Sequence, residues 1–530
     1  MSSKIDPRKI VFILIILGTI FFFIYTYNTL TPSFRTPDEN CNYFFSLHYA
    51  QNGSLSYKED LNDIAYNTIA PLGSRITTNG KIVPGKFIGF PIYYMPFITV
   101  IGEDILPYLT PLFACIGIFF IYLLSKTLFG EKNGIITCIL LLIFPPFWFW
   151  SNFPLFETIF ASLLFVIGLS YFFRSLERPI LSSYILTAIF LGTAFNIRPD
   201  MVLLFIPLFI ILLLKLKETN LKYLLFCILI VILVISPILI LNNQLYGGYF
   251  TTGNNLNGGE FESGTNLLTI ASTAAKRDIF AIVPNLAYYI EIAPLFFASL
   301  LFASLFFLVN RSEKASGSSC NKCYLLFIIL SFIIYVVIYQ MYPSPNYRFG
   351  KPIQESFIRY LMPLLLSTLP LFSRVFQQLN KFDKRKIVVV LFAFIFVVSS
   401  VTYTLSDRGL YETWEIRLEE SAIHDCITSN TESDSIICMG WMERTVYPDR
   451  RVIPDQRLVG NNSEEKIKMM AEIAKNLLDR ENPLYLYKYR AELFDDFSTV
   501  RHIFKSKDMK LKLIENNGRY DILYKIEKEY

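Results

Sequence analysis

Residues 9–45, KIVFILIILGTIFFFIYTYNTLTPSFRTPDENCNYFF, set the terms for reading the whole chain. The run from Ile10 to Leu30 is apolar and long enough to cross roughly 30 Å of hydrocarbon as a helix. Lys4, Arg8 and Lys9 precede it, and the polar segment Thr36, Pro37, Asp38, Glu39 follows. Basic residues favour the cytoplasmic side of a span, so the N-terminus is expected inside and the acidic pair outside. The run is too long for a removed signal peptide and has no small-residue cleavage site, so it is expected to remain as an anchor.

The same pattern repeats outward from this stretch. The 530 residues are 53% hydrophobic and 16% aromatic, with 18% charged, which leaves too little polar surface to clothe a soluble globule of that size. Eleven spans are expected: Ile10–Leu30, Leu106–Leu124, Ile135–Trp150, Leu155–Phe173, Ile180–Ile197, Met201–Leu214, Leu221–Leu241, Leu286–Val309, Tyr324–Met341, Phe357–Phe372 and Ile387–Leu405. Alternation puts Lys126, Lys132, Arg174, Arg178, Lys215, Lys217, Lys222, Arg311, Lys314, Lys322, Arg374, Lys381, Lys384, Arg385 and Lys386 in inner loops, as the charge rule requires. The C-terminal tail then lies outside. The expected fold class is an α-helical polytopic membrane protein in the plasma membrane. The formal net charge of +5 is largely that of the inner loops and gives no reason to expect nucleic-acid binding.

Two domains are expected, a membrane-embedded region at 1–405 and a soluble extracytoplasmic α/β domain at 406–530. The first holds a long external loop, 31–105, whose aromatic segments read as helices lying at the interface. Pro37 opens one of them, and Asn52 with Gly53 closes it. The tail carries 24 of the 44 acidic residues, and its apolar residues fall in short clusters. Ser435–Met439 and Pro483–Tyr487 read as strands, Ser463–Leu478 as an amphipathic helix with Ser463 as N-cap, and Met509–Ile514 with Tyr520–Ile526 as a hairpin. Cys426 and Cys438 both fall in the tail, where a disulfide is one alternative; Cys320 and Cys323 form a lone CxxC, weak as a zinc motif.

Charge is expensive in apolar segments, so its exceptions point to function. Asp38 and Glu39 stand just outside the first span, where a carboxylate can act as a general base while its neighbour positions a partner; a helix N-cap is the competing reading. Glu157 interrupts the apolar FPLFETIF, and Lys86, Arg198 and Arg359 break the charge bias by sitting on the outer side. Three cations at one membrane face suit an anionic lipid phosphate, with headgroup anchoring as the plain alternative. His48, His424 and His502 are scattered, and no Walker loop, GxSxG or HExxH occurs.

The order of a first span, PDE opening an external helix, GKFIGFPIYYMP, a helix entered at Glu157, NIRPD and FIRYLMPLL resembles the GT-C superfamily of polyprenyl-phosphate-sugar-dependent glycosyltransferases, near the protein O-mannosyltransferases and the lipid A aminoarabinose transferase. The likeness runs from about Ile10 to Phe372. It implies a GT-C type bundle and inverting transfer of a monosaccharide from a dolichyl- or undecaprenyl-type phosphate to a protein, glycan or lipid. Asp38 with Glu39 then supplies the catalytic acid of the first external loop, and Glu157 sits where relatives place a second acid. Lys86 corresponds to the loop lysine that meets the lipid phosphate, with Arg359 and Tyr360 as the RY before a proline. Arg198 is expected to assist at the phosphate. Divalent-metal use differs among such enzymes and is left open. The alternatives from other classes are a lipid or solute transporter, which would place ionisable groups at mid-span, and a membrane-anchored binding protein acting through its tail.

Overall fold

The structure is a computed structural model that describes residues 6–28, 34–253, 319–339, 356–379, 394, 410–460, 462–488, 497–516 and 522–529. The chain forms two compact units. One comprises Met1–Asn28, Asp104–Ile240 and Gly264–Thr413; the other comprises Thr29–Glu103, Leu241–Ser263 and Trp414–Tyr530. The first external loop, grouped with the spans in the sequence reading, thus shares a unit with the tail.

The first unit is helical. Its described elements are α1 (Pro7–Asn28), α4 (Leu106–Phe129), α5 (Glu131–Leu142), α6 (Pro145–Ser151), α7 (Glu157–Glu177), α8 (Leu181–Ile197), α9 (Val202–Leu214), most of α10 (Leu221–Tyr246), α11 (Ser319–Tyr339) and α12 (Ser356–Leu379). Among the described residues four helices are long and apolar enough to cross a membrane, or five if one bent pair counts as a span. The expected span Ile135–Trp150 is that pair: α5 and α6 meet at 64°. Pro145 explains the break, because a residue before proline is driven out of the helical region, and Phe144 is extended at φ −88°, ψ 109°. The expected span Leu286–Val309 and nearly all of Ile387–Leu405 lie outside the described residues.

Apolar side chains cover the outward faces of α1 (Phe12, Leu17, Ile24) and α10 (Leu225, Leu229, Leu233), as expected of helices solvated by lipid. Inside, α7 packs on α8 where Gly168 meets Leu191, which leaves no room for a side chain. Hydroxyls tie α4, α5 and α12 together: Ser125 and Thr137 are 2.8 Å apart, and Thr137 donates to Ser373 at 2.9 Å. Such bonds, with small residues at close approaches, are the usual adhesive between helices in an apolar medium.

The second unit begins with α2 (Pro37–Asn52), whose bounds are those marked by Pro37 and by Gly53, the latter a left-handed C-cap at φ 63°. Its buried face is mostly polar, holding Glu39, Asn40, Asn42 and Ser46 beside Cys41 and Phe45, so α2 is seated on protein rather than presenting an apolar stripe as an interfacial helix would. It packs on α3 (Gly89–Ile101). A three-stranded antiparallel sheet of β1 (Tyr57–Lys58), β2 (Ser74–Ile76) and β3 (Lys81–Pro84) runs in the order β1-β3-β2.

The tail forms a five-stranded mixed sheet, β5-β4-β6-β8-β7, from β4 (Ile436–Met439), β5 (Arg451–Pro454), β6 (Leu484–Lys488), β7 (Met509–Asn516) and β8 (Ile522–Lys528). Strands β4, β5 and β6 are parallel, and β8 pairs antiparallel with both β6 and β7. Around it lie α13 (Leu410–Ser429), α14 (Ser463–Leu478) and α15 (Phe497–Lys505). The N-cap of α14 is Asn462, which accepts from the Glu465 N–H at 2.8 Å; Ser463, expected in that role, is the first helical residue. Strand β5 and helices α13 and α15 were not anticipated. Cys426 and Cys438 are both free thiols, Cys438 in the sheet core, and Cys320 and Cys323 are free and buried in α11.

Candidate active site

The candidate residues divide between the two units. Asp38, Glu39 and Lys86 belong to the loop-and-tail unit; Glu157, Arg198, Arg359 and Tyr360 belong to the helical unit.

At the start of α2 a capping box forms. The Glu39 N–H donates to the Thr36 hydroxyl at 3.2 Å, and the Thr36 N–H donates to Glu39 Oε2 at 3.1 Å. That arrangement satisfies the end of the helix through Thr36 and Glu39, and separates the two carboxylates into different tasks. Glu39 is enclosed, with Oε2 also accepting from the Arg35 N–H at 3.2 Å and Oε1 accepting from Arg417 at 3.1 Å. Burial pushes its carboxyl up to about 7, while Arg417 pulls it down and Glu420 raises it.

Asp38 points elsewhere, with Oδ1 lying 3.1 Å from Lys86 Nζ and both side chains partly exposed. Three glycines allow that meeting. The Gly85 N–H donates to the Gly73 carbonyl at 2.9 Å, extending the pairing in which Ser74 faces Pro84. A Cβ on Gly73 would collide with the Pro37 carbonyl, one on Gly85 with the Gly73 carbonyl, and one on Gly253 with the Pro84 carbonyl. Only residues without a side chain let these backbones stack so closely. Lys86, the next residue, is thereby delivered to the first turn of α2, where the helix dipole also favours the Asp38 carboxylate.

In the helical unit Arg198 caps the C-terminus of α8 and is fully buried. Its Nε and Nη2 donate to the two Asp200 oxygens at 3.1 and 2.5 Å, and its Nη1 donates to the Thr158 hydroxyl at 3.4 Å and the Arg359 carbonyl at 3.0 Å. The guanidinium lies 5.0 Å from the centre of the Tyr360 ring. A fork so occupied holds neighbours in place. Arg359 is half-buried, stacked at 5.3 Å on Phe156 and 5.2 Å on Tyr360, and donates to the Tyr360 hydroxyl at 3.4 Å. Cation–π contacts of this kind steady a charge without neutralising it. Glu157 is the first residue of α7, directly after Phe156, and is partly exposed.

Two of the residues that organise these places had no signal near Asp38 or Arg359: Arg417, 378 positions from Glu39, and Thr158, 40 from Arg198. Asp200 was readable, two residues after Arg198 in NIRPD. No group of three or more metal-ligating side chains occurs among the described residues.

Residues 95–241 match the family model described as dolichyl-phosphate-mannose-protein mannosyltransferase. That stretch contains Glu157 and Arg198 and omits Asp38, Lys86, Arg359 and Tyr360. No curated protein matches the sequence. In structure the chain is similar to ArnT from Cupriavidus metallidurans, solved bound to undecaprenyl phosphate, with TM-score 0.54 and 10% identity over 96% of this chain and 97% of that one. It is also similar to the oligosaccharyltransferase of Archaeoglobus fulgidus in its apo form, with TM-score 0.52 and 13% identity over 96% of this chain and 73% of that one. At these identities the likeness speaks for the fold alone.

Proposed function

We propose that this chain, built on the GT-C glycosyltransferase fold, transfers a monosaccharide from a polyprenyl phosphate to a hydroxyl or amide acceptor at the non-cytoplasmic face, with Asp38 as base and Lys86 as the partner of the donor phosphate. The observation that carries the reading is the Asp38–Lys86 pair at 3.1 Å, beside a helix whose cap is made by Thr36 and Glu39. An acid not committed to the cap and paired with a lysine at an accessible helix start is placed for proton transfer.

In this reading Lys86 stays paired with Asp38 until a lipid phosphate shares its charge. The acceptor oxygen or nitrogen then attacks the anomeric carbon, its proton passes to Asp38, and the bond from that carbon to the phosphate oxygen breaks, its electron pair leaving with the polyprenyl phosphate. Stabilising the departing phosphate is the main demand, and cations meet it without a nucleotide site. Within the helical unit Arg359, held by aromatic faces and by the carbonyl bond from Arg198, is that unit's own candidate for meeting a phosphate, with Tyr360 beside it; Arg198 acts through them. Glu39 keeps the turn in shape, and Glu157, at the start of α7, is the second acid, in the helical unit. The N-terminus is inside and the tail outside.

The family match and the undecaprenyl phosphate named for ArnT support this donor class. Transport is disfavoured by where the charges fall in their helices: Asp38 and Glu157 open α2 and α7, Arg198 ends α8 and Arg359 lies in the first turn of α12, none at mid-helix. The test is donor consumption from dolichyl- or undecaprenyl-phosphate mannose in vesicles that also carry the native envelope acceptors. Asp38→Asn, folded as the wild type, should lose about 100- to 10,000-fold in turnover, and near-normal turnover would remove Asp38 from catalysis.

A further inference from the structure

We infer that the tail from Trp414 onward is a positioning element for the reacting loop, with Arg417 and Glu443 as the residues that set where Asp38 and Lys86 stand; the catalytic part of this inference rests on the reading of Asp38 above.

The tail grips the loop at two places between Asp38 and Lys86 in the chain. One is the first turn of α2, where Arg417 Nη2 of α13 donates to Glu39 Oε1 at 3.1 Å, one residue after Asp38. The Asn40 amide donates to the Arg444 carbonyl at 3.4 Å, and Arg444 in turn binds Glu420 of α13 at 2.8 Å. The other is the segment Ala70–Ser74. Glu443 Oε1 accepts from the Leu72 N–H at 3.2 Å, while Arg457 donates to the carbonyls of Ala70, Pro71 and Ser74 at 2.8, 2.6 and 3.1 Å and to the Ser74 hydroxyl at 3.1 Å. Gly73, inside that segment, is the residue whose close approach to Pro37 sets the spacing between α2 and the strand leading to Lys86.

The chemistry of these grips argues that they are specific. Glu39 and Glu443 are both fully buried, and Arg417 is nearly so. Enclosing such groups is costly unless each is met by well-placed partners, and two apolar surfaces would serve simple adhesion better. Apolar adhesion is present as well, since Ala65 and Ile69 of the loop belong to the core formed by β4, β6 and α14. The charged contacts add a fixed register to it. Arg417 is not part of that core, so replacing it should leave the core intact and loosen chiefly the turn that carries Asp38.

The experiment uses the full chain in lipid nanodiscs and compares Arg417→Met, Arg417→Lys and Glu443→Met by hydrogen exchange and by turnover of the same mannose donor. In Arg417→Met, exchange over residues 34–45 should quicken at least tenfold while β4 and β6 stay protected, and kcat should fall at least tenfold with KM for the donor unchanged. Arg417→Lys should restore part of both. Glu443→Met, which keeps the volume and removes the acceptor of the Leu72 N–H, should loosen residues 70–74 and likewise lower kcat. Unchanged exchange at 34–45, or loss of protection in the sheet and α2 together, would overturn the inference. If Arg417→Met fails to fold, Glu443→Met decides alone, and unchanged exchange at 70–74 would overturn it. Normal turnover in Asp38→Asn with loosened exchange in Arg417→Met would instead overturn the catalytic reading and leave the positioning role standing.

Discussion

Arg198 and Glu39 are each fully enclosed charges beside a candidate functional residue, yet they are held by different means. Arg198 is met within its own neighbourhood in the helical unit, by Asp200 two residues on, by Thr158 and by the backbone and ring of the 359–360 pair. Glu39 is met by its own capping turn and then by Arg417, across most of the chain's length. In the apolar unit a charge is fixed by aromatic faces and short forks, because little else is available to meet it. In the polar unit a charge can be fixed by a distant segment, and that makes its setting depend on the tail. The comparison teaches where to expect local failure and where to expect failure at a distance.

The strongest way to break it is Arg198→Met. Removing one partner of a buried pair leaves Asp200 and the Arg359 carbonyl without their donor, and should cost about 3 kcal/mol. The expected result is a clear drop in the thermal midpoint in detergent, together with loss of donor use through a displaced Arg359. A variant as stable as the wild type, with normal donor dependence, would show that the fork around Arg198 does not organise the 359–360 pair.

That contrast also governs what could be read in advance. The spans were legible because about 20 apolar residues have few other uses, and the candidate cations were legible because charge is rare among them. The broken span at Phe144–Pro145 was also written in the sequence, since the proline restricts the residue before it, but a hydropathy run does not register that restriction. The helix at 37–52 has the bounds that Pro37 and Gly53 marked, and what the sequence reading left out was the face it buries. Its Phe44, Leu47 and Tyr49 suggested a lipid surface, whereas the face it buries is the polar one carrying Glu39, Asn40 and Asn42. What hid that face was its partner: Arg417 and Arg444 lie in a tail that looks, as sequence, like any soluble appendage. The separation of Asp38 from Glu39 was likewise invisible, because adjacent carboxylates differ only once Thr36 has chosen one of them for the cap.

A second, smaller effect sharpens the polar half of the comparison. Burial pushes Glu39 and Glu443 each up to about 7 from an ordinary value of 4.5. The folded state therefore holds protons that the unfolded chain has released between those values, and linkage makes stability fall as pH rises from about 4.5 through about 7. Arg417, Glu420 and Arg35 face Glu39, and Arg444 and Arg457 face Glu443. The measurement is the thermal midpoint at pH 5 and at pH 7.5 for the wild type and for Glu39→Gln and Glu443→Gln. Each variant should lose part of the wild-type decline, on the order of 2 kcal/mol at most. Parallel curves for all three proteins would mean that neither carboxyl titrates in that window.

The smallest effect separates the two adjacent acids most directly. Thr36 is the cap of α2, and its hydroxyl accepts from the Glu39 N–H while its own N–H binds the Glu39 carboxylate. Thr36→Ala removes the hydroxyl and leaves the backbone half of the box, so the loss should be that of one N-cap, about 1 kcal/mol. Glu39 keeps Arg417 and the Arg35 and Thr36 N–H groups, which should hold the turn in place, and Lys86 keeps Asp38. The rate should therefore stay within about threefold, whereas Asp38→Asn should leave stability nearly unchanged, because Asn caps well and Asp38 is not the cap. Measured side by side, the two variants should lose opposite properties: one a degree or two to several degrees of thermal midpoint, the other turnover. A hundredfold fall in turnover for Thr36→Ala at near-normal stability would mean that the capping turn belongs to the chemistry. A fall in stability for Asp38→Asn equal to that of Thr36→Ala would return Asp38 to a structural role in the helix end.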